Sequence, residues 1–252
     1  SNSLDFLVAI YPTFQAAVRI ADATTSQFDS IQPLIAVADA GQLYVAWRDR
    51  EDLRFARSAD AGAQWSQAAT LHRFAEWPYG FSVAFDRSAS TILVAWGEDS
   101  SIRAMRSSDA GQTWTPPAVL TDASTMSASN PGMFVDPSGT IFLVCLGTAP
   151  AGGFPYSVVI LRSSDHGASF EEIGRIAWTT YFVGDTSPQL ASDSNGTLYL
   201  VFTSEFGTRY STSYLSRSTD GGRTWSTPNR VSVVAPALAV DDQNALDIIA
   251  AN

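Results

Sequence analysis

Five short, almost uninterrupted apolar runs recur along the chain, at residues 43–47, 92–96, 141–146, 198–202 and 246–250. Unbroken apolar runs of this length, rich in β-branched and aromatic residues, are typical of strands buried on both faces. A short polar turn precedes each run and begins at Asp39, Asp86, Asp136, Asp193 or Asp241. The pattern predicts that each run is the second strand of a hairpin, and that these aspartates form the turns.

A second motif follows each of the first four runs. It reads Arg-Ser, any residue, Asp, any residue, Gly, and then an aromatic residue three positions later, with its aspartates at Asp60, Asp109, Asp165 and Asp220. The aspartates are spaced by 49, 56 and 55 residues, and a period in this range indicates a repeat architecture. A proline precedes a short apolar stretch in every unit, at Pro33, Pro78, Pro131 and Pro188, and Pro236 begins a fifth, incomplete copy.

Each unit is predicted to be a four-stranded antiparallel meander, the blade of a β-propeller. The sequence contains four complete blades, at residues 31–75, 76–125, 126–182 and 183–233. We expect residues 234–252 and 1–22 to combine into a fifth blade, which would close the ring and leave no exposed sheet edge at the seam. The prediction is one all-β domain over residues 1–252, a five-bladed β-propeller.

Composition narrows the range of functions. The chain is 45% hydrophobic and 12% aromatic, as a folded domain requires, and its formal net charge is −10. An acidic protein is poorly suited to neutralising phosphates, so neither nucleic acid nor a membrane is an expected partner. One cysteine and two distant histidines offer no recognisable ligand set, so we expect no metal and no cofactor. Since ring closure hides the sheet edges, we also expect a monomer.

The Ser-x-Asp-x-Gly-x-Thr-Trp frame resembles the Asp box, or BNR repeat, of sialidase-superfamily propellers, and the four copies extend the resemblance over the whole chain. It implies that each box lies between the third and fourth strands, on the face opposite the active site. Side chains of the box can hydrogen-bond to backbone groups across a tight turn, and its glycine permits a positive φ. Asp60, Asp109, Asp165 and Asp220 are therefore expected to be structural.

Function is expected at the opposite rim, in the loops between second and third strands and those leading into first strands. A sugar site needs carboxylates for acid, base or nucleophile roles and flat aromatic faces for stacking. The candidate catalytic residues are Asp52, Glu76, Asp185 and Glu205. The candidate substrate-binding residues are Arg50, Arg209, Trp77, Trp178 and Tyr181.

The resemblance to sialidases extends only partly to catalytic residues. Residues 43–50 match the frame of a family motif and place Arg50 at its arginine position, whereas Ile31-Gln32-Pro33 has glutamine where the family has its first arginine. The family's nucleophilic tyrosine has no assigned counterpart, although Tyr79, Tyr181 and Tyr210 are available. Sialidases also resemble six-bladed rings, so a different, neutral sugar is the expected substrate.

Three functions stay open, of which the third is that of a purely structural module of a larger extracellular protein. The first is a glycoside hydrolase with a non-standard active site. The second is a non-catalytic propeller that binds a glycan or a protein, in which the rim aromatics would be exposed while the acids pair with arginines. The resemblance implies an extracellular or cell-surface location.

Overall fold

A computed structural model describes residue 20 and residues 33–249, with gaps at 77, 150–155, 179–186, 207–209, 232–236 and 242. Apart from one short 3-10 turn at Asp39–Gly41, the regular structure in these ranges is entirely β. The strands form four four-stranded antiparallel sheets and one two-stranded sheet, each in simple chain order. The predicted four-stranded meanders are thereby confirmed for the first four units.

The bounds of the strands follow the predicted repeat. The first sheet comprises β1 (Leu34–Val37), β2 (Leu43–Asp49), β3 (Asp52–Ser58) and β4 (Ala69–Arg73). The second comprises β5 (Phe81–Asp86), β6 (Thr91–Glu98), β7 (Ser101–Ser107) and β8 (Ala118–Val119). The third comprises β9 (Ser127–Val135), β10 (Ile141–Thr148), β11 (Tyr156–Ser163) and β12 (Glu171–Trp178). The fourth comprises β13 (Gln189–Ser192), β14 (Leu198–Phe206), β15 (Tyr210–Ser218) and β16 (Asn229–Val231), and the two-stranded sheet comprises β17 (Ala237–Val240) and β18 (Leu246–Ile249).

The antiparallel register separates two kinds of connection. In the third sheet, Ile141 pairs with Ser163 at one end and Thr148 pairs with Ser127 at the other. The aspartate-containing turns therefore lie at one end of each sheet, which we call the turn end. The connections between second and third strands lie at the opposite end, which we call the loop end.

The second strands are buried on both faces, as the apolar runs predict. Every residue of β6 is buried, as are all but the last residues of β2 and β10, and the indoles of Trp47 and Trp96 are almost wholly enclosed. Burial of this apolar surface is the main force that holds each sheet against its neighbours. The two-stranded sheet differs, because Asp247 in β18 is exposed and the adjacent Ile248 is half-buried.

The described chain contains two compact units, each with its own core. The first holds β1–β4 together with Val83–Val94 and Arg106–Thr115, and its core includes Tyr44, Phe55 and Trp47. The second holds Pro78–Ser82, Ala95–Met105 and the strands from β8 onward. Its core is built from alternate residues of β10 and β11 and from residues of β14.

First strands of successive sheets lie side by side in the second unit, where β13 contacts both β9 and β17. A glycine makes one of these approaches feasible, because a Cβ built on Gly132 would lie 2.0 Å from the carbonyl oxygen of Pro188. A side-chain hydrogen bond supports the approach of β17 to β13: Asn244, in the turn after β17, accepts a hydrogen bond at Oδ1 from the backbone N–H of Ser194 at 2.8 Å.

The predicted strands of the N-terminal half-blade, at residues 4–10 and 14–20, lie outside the described residues apart from Ile20. The five-blade count, the closure of the ring and the single-domain organisation therefore stay predictions.

Candidate functional site

All four motif aspartates form hydrogen bonds that close their turns at the turn end. In each turn the serine Oγ donates to the aspartate Oδ1 at 2.8 Å and accepts from the glycine N–H at 2.8 to 3.0 Å. The backbone N–H four residues after each aspartate also donates to its Oδ1, and the glycine φ is positive, between 79° and 89°. These carboxylates close turns at the end of the sheet opposite the loop end.

The hairpin aspartates behave in the same way. Asp86, Asp136, Asp193 and Asp241 each accept a backbone N–H from two residues further on, at 2.9 Å, which confirms them as turn formers. Asp39 differs, because its backbone carbonyl closes the turn while its side chain lies 3.5 Å from the Arg87 guanidinium.

The loop end of the first sheet carries a network of ion pairs. Arg73 Nη2 donates to Glu51 Oε2 at 2.8 Å, and Arg54 Nη1 lies 3.9 Å from Asp52 Oδ2. The negative charge of Asp52 also acts on Arg73, whose pKa is raised chiefly by its hydrogen bond with Glu51. Asp52, a predicted catalytic carboxylate, thus lies within ion-pair distance of Arg54.

The loop end of the second sheet carries a buried carboxylate. Glu98, only 7% exposed, accepts a hydrogen bond from the Trp96 indole at 3.1 Å and lies 3.5 Å from Arg103 Nε. Arg103 also donates to Asp99 at 3.1 Å, so one arginine serves two neighbouring acids. This arrangement holds the Glu98 side chain in position at the base of the β6–β7 turn.

An exposed aromatic residue stands beside this turn. Tyr79 is 60% exposed although its backbone is tightly held, with its N–H bonded to the Gly97 carbonyl at 2.9 Å and its carbonyl bonded to the Asn130 N–H at 2.8 Å. Gly97 permits this approach, since a Cβ there would lie 2.5 Å from the Tyr79 oxygen. A fixed backbone that presents an open phenol ring is suited to stacking against a flat ligand face.

Trp178 is half-buried and packed. Its indole N–H donates to Ser204 Oγ at 2.9 Å, and its rings meet those of Phe202 and Tyr214 edge-on at 4.9 and 4.5 Å. The buried hydroxyls of Thr203 and Ser213 lie 2.9 Å apart nearby. Trp178 therefore closes the loop end of the third and fourth sheets with most of its surface in packing contacts.

The other predicted site residues are described in part or not at all. Glu76 and Arg50 are both exposed, and Arg50 has a positive φ of 56° in the β2–β3 turn. Glu205 belongs to β14 and pairs with Ser211, while its side chain lies outside the described part of the protein. The remaining candidates, Asp185, Arg209, Trp77 and Tyr181, fall in the gaps.

Glu98 with Trp96 and Arg103 is the grouping that the predicted site lacked. The spacing of Trp96 and Glu98 was the available signal, because residues two apart in a strand point to the same face. A tryptophan that can donate a hydrogen bond to a carboxylate on a buried face indicates an acid that is fixed in position. Trp96 by its sequence alone is equally typical of a core residue.

The described ranges contain neither a metal-binding cluster nor a membrane-spanning helix. No group of three or more His, Cys, Asp or Glu side chains is arranged to hold a metal ion. No helix found there is long and apolar enough to cross a membrane.

No protein-family model and no curated protein matches this sequence, but solved structures do. A Dyadobacter fermentans protein of unknown function aligns with a TM-score of 0.68 and 15% identity, over 85% of this chain and 72% of that one. An α-L-arabinanase of Penicillium chrysogenum, complexed with arabinobiose, aligns with a TM-score of 0.65 and 15% identity, over 99% of this chain and 80% of that one. A Trypanosoma rangeli sialidase, complexed with the inhibitor DANA, aligns with a TM-score of 0.59 and 14% identity, over 85% of this chain and 43% of that one.

These similarities concern the fold. Together with the four-stranded antiparallel sheets, they establish that the chain has a propeller-like fold of the kind found in carbohydrate-active enzymes.

Proposed function

We propose that this protein is a carbohydrate-directed propeller whose ligand binds at the loop end. The observation that carries the proposal is an exposed, backbone-anchored tyrosine, Tyr79, beside a turn whose acids are already paired with arginine. A ring of this kind offers the flat apolar face that sugars stack on, and the paired charges offer hydrogen bonds to hydroxyl groups. The structural neighbours, which include an arabinanase and a sialidase, support the same ligand class.

Within this class we favour binding without catalysis. Four described acids at the loop end lie within ion-pair distance of an arginine: Glu51, Asp52, Glu98 and Asp99. An arginine that binds a carboxylate competes with a substrate for the same carboxylate oxygens. This pairing is what a glycan-binding descendant of an enzyme scaffold would retain.

A glycoside hydrolase is the second candidate, and the enzymes among the structural neighbours favour it. In this version Glu205 and Asp185 supply the acid and the base or nucleophile, and Arg209 binds the substrate. The substrate would be a neutral sugar, because glutamine at position 32 replaces the arginine that sialidases direct at a carboxylate.

The architecture proposed for this function is a five-bladed ring of sialidase-type Asp-box blades, closed by the two chain ends. Such a ring would act as a monomer, because closure leaves no free sheet edge. We propose an extracellular or cell-surface location, where glycans are abundant.

The test combines a glycan array with a pooled screen of fluorogenic glycosides, including α-L-arabinofuranosides, β-xylosides and α-sialosides. Array binding is expected to be lost in Tyr79→Ala and kept in Tyr79→Phe, because stacking needs the ring and not the hydroxyl. Val119→Ala, which shortens an equally exposed side chain on β8, is the matched control. Binding that survives Tyr79→Ala would refute this site, and turnover that Glu205→Gln abolishes would make the protein an enzyme.

A further inference from the structure

An open cleft of about 450 Å3 lies at the turn end of the first sheet, beside the turn that contains Asp60. Its size is within the range of sites that bind small molecules. Polar side chains from β2, β3 and the turn line it, and its aromatic residues are Tyr44 and Trp65. The cleft lies at the opposite end of the sheet from the loop end.

The Asp60 turn differs from the other three in one hydrogen bond. In those turns a hydroxyl four residues after the aspartate donates to its Oδ2, from Thr113, Ser169 and Thr224, at 2.5 to 2.6 Å. The equivalent residue here is Gln64, which has no hydroxyl. Oδ2 of Asp60 accepts no hydrogen bond from any residue that the structure describes.

The presence or absence of this hydroxyl is reflected in the pKa values of the aspartates. The hydroxyls of Ser169 and Thr224 are the main reason that the pKa values of Asp165 and Asp220 fall to about 2. The pKa of Asp60 is also lowered, but chiefly by the backbone N–H of Gln64, which donates to Oδ1. Asp60 is therefore ionised at neutral pH, with one oxygen bonded within the turn and the other not hydrogen-bonded to any described residue.

The other polar groups of the cleft are held in place. Arg57 lines the cleft, and its Nη1 donates to the carbonyl of Ala110 at 2.8 Å, while the guanidinium has further N–H donors. Tyr44 pairs with Arg57 across β2 and β3, and its hydroxyl is hydrogen-bonded to Gln42 at 3.1 Å. The Trp65 indole N–H is bonded to the carbonyl of Gly62 at 3.1 Å, which fixes the ring at the edge of the cleft.

We propose that this cleft is a second binding site, for a neutral sugar. Asp60 Oδ2 would accept hydrogen bonds from sugar hydroxyls, Arg57 would donate to their oxygens, and Trp65 would contact the apolar face of the ring. One carboxylate and one guanidinium face the same space, so an anion or a cation would meet a like charge, whereas a polyol satisfies both groups. The inference does not rest on the proposed function, because it involves other residues at the other end of the sheet.

The decisive variant is Gln64→Thr, which restores the hydroxyl that the other three turns have. The backbone N–H of residue 64 already donates to Asp60 Oδ1 at 2.8 Å, as that of Thr113 does to Asp109 Oδ1 at 2.9 Å, so the new hydroxyl should reach Oδ2. We expect Gln64→Thr to raise the melting temperature while weakening sugar binding at least about tenfold, since a charge-assisted hydrogen bond is lost. If residue 64 had a purely structural role, Gln64→Thr would raise the melting temperature without weakening sugar binding.

Binding is measured by titrating the 1H–15N spectrum of the protein with arabinose, xylose, galactose and glucose, up to about 100 mM because single-sugar sites are weak. The indole N–H signal of Trp65, assigned with Trp65→Phe, should shift and saturate. Asp60→Asn should abolish the shift, and Asp220→Asn, the same change in the fourth sheet, should leave it unaltered. An absence of saturable shifts with all four sugars, or equal affinity in Gln64→Thr, would overturn the proposal, whatever the glycan array shows for Tyr79.

Discussion

Replacing Gly132 by alanine tests the close approach between the first strands of the third and fourth sheets. The new Cβ would lie 2.0 Å from the Pro188 carbonyl oxygen and 3.4 Å from Val144 Cγ2. Real Cβ atoms are essentially never found within 3.0 Å of another heavy atom, so one of the two backbones must move by about 1 Å. Because the severe contact is with the backbone of Pro188 and not with the flexible end of a side chain, we expect a loss at the upper end of the overpacking range, about 3 kcal/mol.

The measurement is urea unfolding followed by fluorescence and circular dichroism, with Gly196→Ala as the matched control. Gly196 has a positive φ of 80° and no atom within 4 Å of a built Cβ, so its substitution adds backbone strain without a clash. That strain is expected to cost about 1 kcal/mol. In thermal unfolding, a loss of about 3 kcal/mol should lower the melting temperature by roughly 6–12 °C for a chain of this length. If Gly132→Ala is no more destabilising than Gly196→Ala, the two strands are not packed as tightly as we infer.

Three further outcomes follow from the turns and their aromatic residues. The folded-state pKa values of Asp165 and Asp220 are about 2, below the ordinary value of 3.8. The two ionised carboxylates therefore stabilise the fold fully above about pH 4, and this stabilisation should be lost as the pH falls toward 2. Acid unfolding followed by circular dichroism that is complete above about pH 4 would contradict this. Thr224→Val removes the main cause of the lowered pKa of Asp220, so a carboxyl-carbon NMR titration should show that pKa rising toward 3.8, with Asp165 unchanged as the internal control. In urea unfolding, Trp225→Phe should lower the free energy of unfolding by about 1 kcal/mol more than Trp114→Phe does. The reason is that the Trp225 indole N–H is bonded to the Gly222 carbonyl at 2.9 Å, whereas the indole N–H of Trp114 is buried without a described acceptor. Equal losses would mean that the bond to Gly222 does not stabilise the fold.

The strand repeat was predictable because the second strands are buried on both faces. The run at residues 92–96 predicted the centre of β6, and the structure extends it to Thr91–Glu98. The missed ends carry polar residues that are buried by pairing, such as Glu98 with Arg103, and a hydropathy pattern cannot detect a buried charge. The outermost strands were harder to predict, since exposed β8 is only two residues long and has no apolar run.

The candidate site was less predictable, because residue type does not reveal what a side chain touches. Trp178 was expected to offer a stacking face, yet its ring is packed against Phe202 and Tyr214. Tyr79, which the sequence marked only as an available tyrosine, is the exposed ring. The difference depends on contacts between strands far apart in sequence, such as the approach of Asn130 to Tyr79, and no local pattern encodes them.

The repeat itself explains how a binding cleft could arise at the turn end without loss of the fold. Each turn is closed by redundant bonds, since the aspartate Oδ1 is bound by both the serine hydroxyl and a backbone N–H. Loss of the additional hydroxyl at position 64 leaves those bonds intact in the Asp60 turn and frees one charged oxygen. Because the fold tolerates this change in one of four copies, selection can act on the freed group for binding while the other three turns preserve stability. The same redundancy predicts that Gln64→Thr will stabilise the turn that it closes.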